Sequence, residues 1–225
     1  MGNTMQFQGD KSPSIGPKCA IVGWYVLCSA GAVWFELLRA DASAPAGDPA
    51  RQVLLLACVA VYVLRAAHTL FAFVQRRVPW WEAAWGGSII GCVLFVFLLF
   101  GLRTPQPLEL LDAGGLLLYA AGTYLGTASE WSRHRWKARP ENRGHLYTEG
   151  LFRLSRHVNY FGDLLLFAGL AVLTRQLWAA MVPLGMGLNF VFMIIPAHDA
   201  YLASHYGTEF EQYARRTRKL VPMVY

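Results

Sequence analysis

The segment Ser129–Asp163 has the sequence SEWSRHRWKARPENRGHLYTEGLFRLSRHVNYFGD and is the longest polar stretch in an otherwise apolar chain. It contains seven Lys or Arg residues against three Glu residues, and at Tyr160 it runs directly into an apolar stretch. A basic segment of this density needs an anionic partner, which is either membrane lipid or a nucleotide. Because this segment lies at the edge of an apolar block, it marks a boundary between the polar and the apolar parts of the chain.

The composition indicates a membrane protein. Of the 225 residues, 55% are hydrophobic and 15% are charged, with a mean hydropathy of +0.33, whereas soluble domains carry about 25% charged residues. The apolar residues form continuous blocks without alternation, which favours helices over a β-barrel. We predict an all-α polytopic membrane protein with a disordered amino-terminal arm over residues 1–19. A single membrane-embedded domain follows over residues 20–225, and its cofactor-binding part is 129–225.

Six apolar blocks predict six transmembrane helices, because a spanning helix needs about 20 apolar residues. The blocks are Ala20–Leu38, Val53–Val74, Trp85–Leu102, Leu110–Thr127, Tyr160–Leu173 and Leu177–Ile195. Pro196 is expected to end the sixth span, since a proline cannot continue a regular helix. The expected architecture is therefore six spans with a cytosolic cofactor-binding loop and a carboxyl-terminal helix.

The distribution of basic residues predicts the orientation of these spans. Six spans put both termini and the basic segment on one side, which carries fifteen Lys and Arg residues. The other side carries four, which are Arg39, Arg51, Arg103 and Arg175. The positive-inside rule then predicts cytosolic termini. The expected location is the endoplasmic reticulum of a eukaryote or the inner membrane of a bacterium. The formal net charge of +6 follows mostly from this asymmetry, so no nucleic-acid partner is predicted.

The cysteines give no sign of a metal site. Cys19, Cys28, Cys58 and Cys92 lie in or beside apolar blocks, and their spacing fits neither a metal site nor a disulfide framework. We therefore predict no metal. The sequence leaves the oligomeric state open.

Ionisable residues inside spans are the first candidates for a functional role, because they are costly to bury in lipid. Glu36 lies near the end of the first block, and Arg65 and His68 lie in the second, with Tyr62 one turn before Arg65. The alternative is structural: Arg65 pairs with Glu36 or extends to the membrane surface, and Tyr62 is an ordinary membrane aromatic.

Two polar clusters are the second group of candidates. In Arg156-His157-Val158-Asn159-Tyr160, Asn159 lies four residues before Asp163 and so shares a helix face with it. An Asn can pair with a carboxamide, and Arg and Lys suit phosphates. The second cluster starts at His198-Asp199, continues through the aromatic residues of the tail and is interrupted by Gly207. Either these clusters bind a cofactor, or the basic segment only anchors to lipid and the tail is an amphipathic interfacial helix.

The first cluster and the tail resemble segments of the steroid 5α-reductases and sterol Δ14-reductases. Arg156-His157-x-Asn159-Tyr160-x-Gly162-Asp163 resembles their RHPNYxG(D/E) signature, with Val158 in place of the proline. The tail motif Tyr206-Gly207…Phe210…Tyr213…Arg218…Pro222-x-Val224-Tyr225 is similar to the end of these proteins. Further upstream, Phe35-Glu36-Leu37 and Val61-Tyr62…Arg65 resemble two segments of the steroid 5α-reductases. The first span of that family has no counterpart in this chain.

The resemblance implies an NADPH-dependent membrane reductase that acts on a carbon–carbon double bond of a lipophilic substrate, such as a steroid enone or a sterol. This places it in steroid or lipid metabolism, with membrane lipid and a lipophilic small molecule as partners. It gives catalytic roles to Tyr62 and Glu36. The cofactor-binding residues that it implies are Arg133, Lys137, Arg156, His157, Asn159, Tyr160, Asp163, His198, Asp199, Tyr213 and Arg218.

Two other functions stay open. The isoprenylcysteine carboxyl methyltransferases share the RHPxYxG core and a polar tail pair, but they use S-adenosylmethionine. Their tail typically has a Glu-Glu pair where this chain has His198-Asp199, and it lacks the terminal aromatic residue. The third possibility is a membrane protein that binds a sterol without catalysing a reaction.

Overall fold

Eight α-helices form the part of the chain described by this computed structural model, residues 14–38 and 47–225. They are α1 (Ile15–Leu38), α2 (Pro49–His68), α3 (Trp80–Gly101), α4 (Leu110–Lys137), α5 (Val158–Thr174), α6 (Met181–Asn189), α7 (Ile195–Tyr206) and α8 (Thr208–Arg216). π-Helical turns at Thr69–Phe73 and Phe190–Ile194 extend α2 and join α6 to α7. Short 3₁₀ turns occur at Pro140–Asn142, Gly150–Arg153 and Leu177–Ala180. Since no strand occurs within the described ranges, the all-helical prediction is confirmed there.

Four helical segments among the described residues are long and apolar enough to cross a membrane. They are Ile15–Leu38, Pro49–Phe73, Trp80–Gly101 and Leu177–Tyr206, and they coincide with the first, second, third and sixth predicted spans. The fifth predicted span is α5, a shorter apolar helix of 17 residues. The fourth lies in α4, which is not among these four. An integral membrane protein is therefore supported, whereas the count of six spans is not confirmed.

Pro196 does not end the helix that contains the sixth predicted span, contrary to the expectation that a proline cannot continue it. The helical segment runs from Leu177 to Tyr206, and Pro196 lies in the first turn of α7. Inside a regular helix, a proline removes one amide donor and its ring clashes with the carbonyl group four residues earlier. The π-helical turn Phe190–Ile194 directly before α7 changes the local hydrogen-bond pattern and accommodates the proline. His198 and Asp199 therefore lie within a continuing helix.

The start of α1 differs from the predicted arm. Helix α1 begins at Ile15, inside the expected disordered segment 1–19, and residues 1–13 of that segment lie outside the described residues. The Ser14 hydroxyl oxygen accepts a hydrogen bond from the Val78 amide at 3.0 Å. The Lys18 ammonium group donates to the Val74 carbonyl at 2.6 Å. These two bonds tie the start of α1 to the connection between α2 and α3.

The chain forms two compact units, which are described separately. The signature unit comprises Ala120–Leu166 and Pro183–Tyr225. The amino-terminal unit comprises the described part of Asp10–Tyr119 together with Phe167–Val182. Helices α4 and α5 contribute residues to both units. The single domain expected over residues 20–225 stays a prediction.

A buried ionic cluster lies in the amino-terminal unit. The Arg51 side chain is fully buried, and its guanidinium group donates to both carboxylate oxygens of Asp112, at 2.6 and 3.0 Å. It also donates to the carbonyl groups of Gln106, Pro107 and Leu173. Arg175 approaches the same carboxylate at 2.5 Å. Arg51 and Arg175 were both expected to be loop cations on one side of the membrane, but both are anchored to Asp112.

Glycines allow α4 and α5 to pack closely. In the signature unit, a Cβ atom at Gly162 would lie 2.7 Å from the Gly126 amide nitrogen and 2.8 Å from the Gly122 carbonyl oxygen. In the amino-terminal unit, a Cβ atom at Gly169 would lie 2.5 Å from the Gly115 carbonyl oxygen. Such close backbone approach requires small residues, as is common between membrane helices. This packing fixes the start of α5, which carries Asn159 and Asp163.

Candidate functional site

All eleven predicted cofactor-binding residues belong to the signature unit. Three of them, Asn159, Tyr160 and Asp163, lie in the first turns of α5, which confirms the predicted helix there. His198 and Asp199 lie on α7, and the tail residues lie on or after α8. The chain therefore folds so that the two polar clusters of the sequence meet in one compact unit.

Asp199 is the centre of this site. Its carboxylate accepts a hydrogen bond from the Arg156 guanidinium group at 2.9 Å and forms a second one with Nε2 of His157, also at 2.9 Å. Arg156 is 8% exposed and His157 is 1% exposed. A carboxylate that joins two buried basic side chains holds α7 against the segment that precedes α5. The predicted residues Arg156, His157 and Asp199 thus form one cluster.

Arg156 also anchors the carboxyl-terminal tail. Its guanidinium group donates to the carbonyl oxygens of Ala214 and Thr217, at 2.9 and 2.8 Å, and its backbone amide donates to the Arg218 carbonyl at 2.8 Å. The guanidinium carbon lies 5.8 Å from the centre of the Phe210 ring. Both terminal nitrogens of the fork are therefore bonded within the protein. Nε is buried without a hydrogen-bond partner among the described residues.

Glu130 is a site residue that the sequence analysis missed. Its carboxylate accepts a hydrogen bond from the side-chain amide of Asn159 at 3.0 Å and pairs with Arg133 on the next turn of α4. Glu130 is 9% exposed, so this carboxylate is buried beside two donors. An acidic residue three positions before Arg133 was the available signal. The contact fixes the Asn159 amide, because its nitrogen faces Glu130 and its oxygen is left as an acceptor.

Stacked rings join α5 to the segment before α7. The ring of Tyr160 stacks on that of Phe190, with centres 4.9 Å apart, and lies parallel to the His157 ring at 5.3 Å. The Tyr160 hydroxyl group is 3.3 Å from Nδ1 of His198. Phe190 opens the π-helical turn that precedes Pro196. π-Helical turns occur often at functional sites, and this one places the Phe190 ring against the Tyr160 ring.

The remaining predicted cofactor residues have individual positions. Lys137 is exposed, and its ammonium group donates to the Tyr206 hydroxyl at 2.9 Å. Tyr213 is buried, and its hydroxyl donates to the Phe152 carbonyl at 2.6 Å. Burial raises the pKa of Tyr213, so this hydroxyl stays a donor. Arg218 has an exposed side chain and contributes its backbone carbonyl to Arg156, while Asp163 is half-buried on α5.

The two predicted catalytic residues belong to the amino-terminal unit. Glu36 accepts a hydrogen bond from Arg103 at 2.7 Å. Tyr62 is buried, and its ring packs on those of Tyr25 and Phe167, at 6.1 and 5.4 Å between centres. Since Glu36 follows Tyr25 by eleven residues on α1, it lies about 16 Å further along that helix. The structure does not bring Glu36 and Tyr62 together, and their catalytic roles stay predictions.

A family model described as "Protein of unknown function (DUF1295)" matches residues 87–217, which is more than half of the chain. This family is linked to a steroid 5α-reductase-like superfamily, which agrees with the resemblance at the level of the superfamily. The specific reductase family is not confirmed. The match includes the whole of α4, α5 and the polar cluster around Asp199.

Two curated relatives are named as methyltransferases. Protein-S-isoprenylcysteine O-methyltransferase B of Arabidopsis thaliana is 30% identical over 102 residues, which are 45% of this chain and 52% of that protein. Probable O-methyltransferase ustE of Ustilaginoidea virens is 31% identical over 90 residues, which are 40% of this chain and 32% of that protein. The matched residues thus span about half of the first relative and about a third of the second. These names support the prediction that the chain is an enzyme, and they do not support the prediction that it is an oxidoreductase.

Proposed function

The chain belongs to the DUF1295 family, and we propose that it is a membrane-bound methyltransferase that transfers a methyl group from S-adenosylmethionine to an oxygen atom of a lipophilic substrate. The observation that carries the proposal is that both of these relatives are named O-methyltransferases. The name of the first relative specifies S-isoprenylcysteine, which suggests an acceptor attached to a lipid chain. The four apolar helices provide surroundings suited to such a substrate.

The pairing of the cations in the signature unit supports this choice of cofactor. NADPH carries three phosphate groups, which require cations with free hydrogen-bond donors. Of the three residues that the resemblance gives to the phosphates, Arg156 is bonded to Asp199 and to two carbonyls, and Arg133 is paired with Glu130. The third, Lys137, donates to the neutral Tyr206 hydroxyl. S-Adenosylmethionine instead carries an ammonium group, a sulfonium group and a single carboxylate. It therefore needs acceptors and few cations.

The donor set of the signature unit fits S-adenosylmethionine. The Asn159 side-chain oxygen, whose amide is fixed by Glu130, is an acceptor suited to an ammonium group. The exposed Lys137, which donates to the neutral Tyr206 hydroxyl, is suited to a carboxylate. The stacked rings of Tyr160 and Phe190 supply aromatic faces, which attract positive charge. When bound, S-adenosylmethionine would supply an electrophilic methyl group, whose carbon bonds to the oxygen of the acceptor while the S–C bond breaks and S-adenosylhomocysteine leaves. The protein binds and orients the two partners and excludes water from them.

The test of this proposal is cofactor binding by the detergent-purified chain of 225 residues. We expect S-adenosylmethionine and its product S-adenosylhomocysteine to raise the melting temperature, because a ligand at 100 times its Kd adds about 2.7 kcal/mol of stability. Transfer of a radiolabelled methyl group to an isoprenylated cysteine analogue would then measure turnover. Stabilisation by NADPH alone, with no response to S-adenosylmethionine, would overturn the proposal.

The tail favours a second candidate, the NADPH-dependent reduction of a double bond in a lipophilic substrate. The chain has His198-Asp199 in place of a Glu-Glu pair, and its tail contains the motif Pro222-x-Val224-Tyr225, which resembles a motif of the reductases. The Leu220 amide donates to the Tyr225 carbonyl at 2.6 Å, so this motif is folded onto the tail. For this candidate, Tyr62→Phe should abolish the oxidation of NADPH by an enone without changing the affinity for NADPH.

A further inference from the structure

A polar cleft of about 620 Å³ lies in the signature unit, and its lining contains none of the residues Arg156, His157 and Asp199 of the cluster described above. It is lined by Thr148, Glu149, Gly150, Arg153, Arg216 and Thr217. Its volume falls within the range of about 300 to 1,000 Å³ that is typical of small-molecule sites. None of the eleven predicted cofactor residues lines this cleft, so neither the sequence motifs nor the proposed methyl transfer accounts for it.

Hydrogen bonds hold the two walls of the cleft in place. One wall is the segment 148–153, and the other is the pair Arg216-Thr217 at the end of α8. The Tyr213 hydroxyl donates to the Phe152 carbonyl at 2.6 Å, which ties α8 to the first wall. On the other side of the pair, the Ser155 hydroxyl donates to the Lys219 carbonyl at 3.0 Å. Arg156 donates to the Thr217 carbonyl itself. The cleft is thus fixed by contacts on both sides.

The charges of the lining indicate the chemistry of a ligand. Arg153 and Arg216 are exposed, and neither forms an ion pair with a described residue, in contrast to Arg133 and Arg156. Two available guanidinium groups suit the oxygens of a phosphate group. Glu149 adds a carboxylate to the same lining, which accepts hydrogen bonds from hydroxyl groups. The lining therefore offers hydrogen-bond donors for an anionic group of a ligand and a hydrogen-bond acceptor for a hydroxyl group of the same ligand.

We propose that this cleft binds a phosphate ester that carries hydroxyl groups. Arg153 and Arg216 bind the phosphate, and Glu149 accepts a hydrogen bond from a hydroxyl group. The same chemistry occurs in the headgroup of phosphatidylglycerol and in soluble glycerol phosphate. Leu154, next to Arg153, is 49% exposed, and an exposed apolar side chain beside a basic one is common at lipid interfaces. The inference is independent of the proposed methyl transfer.

The experiment uses the detergent-purified chain of 225 residues and has two arms. In the soluble arm, calorimetry measures the affinity for sn-glycerol 3-phosphate and for inorganic phosphate. In the lipid arm, the thermal stability is compared after addition of phosphatidylglycerol or of phosphatidylcholine, whose headgroup has no hydroxyl group. We expect Arg153→Ala and Arg216→Ala each to weaken binding at least tenfold. Arg215→Ala, the control, removes a neighbouring exposed arginine outside the lining and should leave the affinity unchanged.

Glu149→Gln separates the two parts of the proposed ligand. We expect this variant to weaken the binding of glycerol phosphate or phosphatidylglycerol severalfold without weakening inorganic phosphate. Binding in the soluble arm alone identifies a soluble phosphate ester, and binding in the lipid arm alone identifies a headgroup. Binding in neither arm would overturn the inference, as would an Arg215→Ala variant that loses as much affinity as Arg153→Ala.

Discussion

Asp199 is the residue on which two buried basic side chains converge. If it is removed, the Arg156 guanidinium group stays buried without its counterion. We expect Asp199→Asn to destabilise the protein by about 3 kcal/mol, because breaking a buried ion pair leaves an uncompensated charge. The melting temperature in detergent measures the loss. Glu141→Gln, on the exposed turn Pro140–Asn142, is the control, and equal melting temperatures of the two variants would contradict the expectation.

Glu130 acts through Asn159, so its loss should affect ligand affinity more than stability. We expect Glu130→Gln to weaken S-adenosylmethionine about tenfold, because a glutamine side chain no longer fixes the Asn159 amide with a charged acceptor. Calorimetric titration measures the affinity, and thermal melting separates it from stability. Glu130→Asp shortens the side chain but keeps the charge, and it should recover part of the affinity. An unchanged affinity in Glu130→Gln would exclude the positioning role.

The residue types in the sequence identified the polar clusters, but they did not show which residues of the protein form hydrogen bonds with them. The motif Arg156–Asp163 and the pair His198-Asp199 were found because such residues are unusual beside apolar blocks. The sequence did not indicate that Arg156 bonds to Asp199, 43 residues away, and to Thr217, 61 residues away. Contacts between residues so far apart in the sequence depend on how α7 and α8 pack against the segment before α5. The spacing of residues within one motif carries no information about this packing.

At the scale of helices, Gly122 allows the close packing of α4 and α5. A Cβ atom at this position would collide with the Gly162 carbonyl and the Leu166 amide, and neither backbone group can move aside easily. We expect Gly122→Ala to destabilise the protein by about 2 to 3 kcal/mol. The matched control is Gly114→Ala, also on α4, where an added Cβ meets nothing within 4 Å. That control should be neutral or gain up to about 1 kcal/mol from helix propensity.

Thermal unfolding of both glycine variants in the same detergent measures this difference. Because both substitutions add one methyl group to one helix, their intrinsic effect on helix stability is the same. A Gly122→Ala variant as stable as Gly114→Ala would show that α4 and α5 are further apart than the structure has them.

The sequence predicted the helices better than their ends. Continuous apolar blocks indicated four segments that the structure also has as candidate spans. The expected end of the sixth helix at Pro196 was wrong, because the π-helical turn before α7 accommodates this proline, and such a turn has no reliable sequence signal. The start of α1 was also different, since the contacts of Ser14 and Lys18 with the α2–α3 connection order residues that look like a flexible arm.

At the scale of the whole molecule, the orientation in the membrane stays a prediction. The expected outer side had four basic residues, but Arg51 and Arg175 are bound to Asp112. The positive-inside rule counts Lys and Arg residues rather than net charge, so the predicted asymmetry is unchanged by this pairing. We expect the segment 138–149 to face the cytosol.

Labelling of a cysteine at position 143 tests this orientation. Arg143 is exposed, so Arg143→Cys in a chain whose four native cysteines are replaced by serine should react with a membrane-impermeant maleimide. We expect labelling in inside-out vesicles and protection in intact cells. A cysteine at Gln106, which is exposed on the opposite predicted side, is the control and should give the reverse pattern. Labelling of position 143 in intact cells would reverse the assignment.

The ion pair between Arg51 and Asp112 constrains how the protein is made. A ribosome adds about 5 to 20 residues per second, and the two partners are 61 residues apart. Arg51 therefore emerges about 3 to 12 seconds before its counterion exists. During that interval the start of α2 cannot reach its final environment without burying a lone charge, so it must wait in contact with water or with the insertion machinery. Biogenesis of the amino-terminal helices is thus incomplete until α4 has been synthesised.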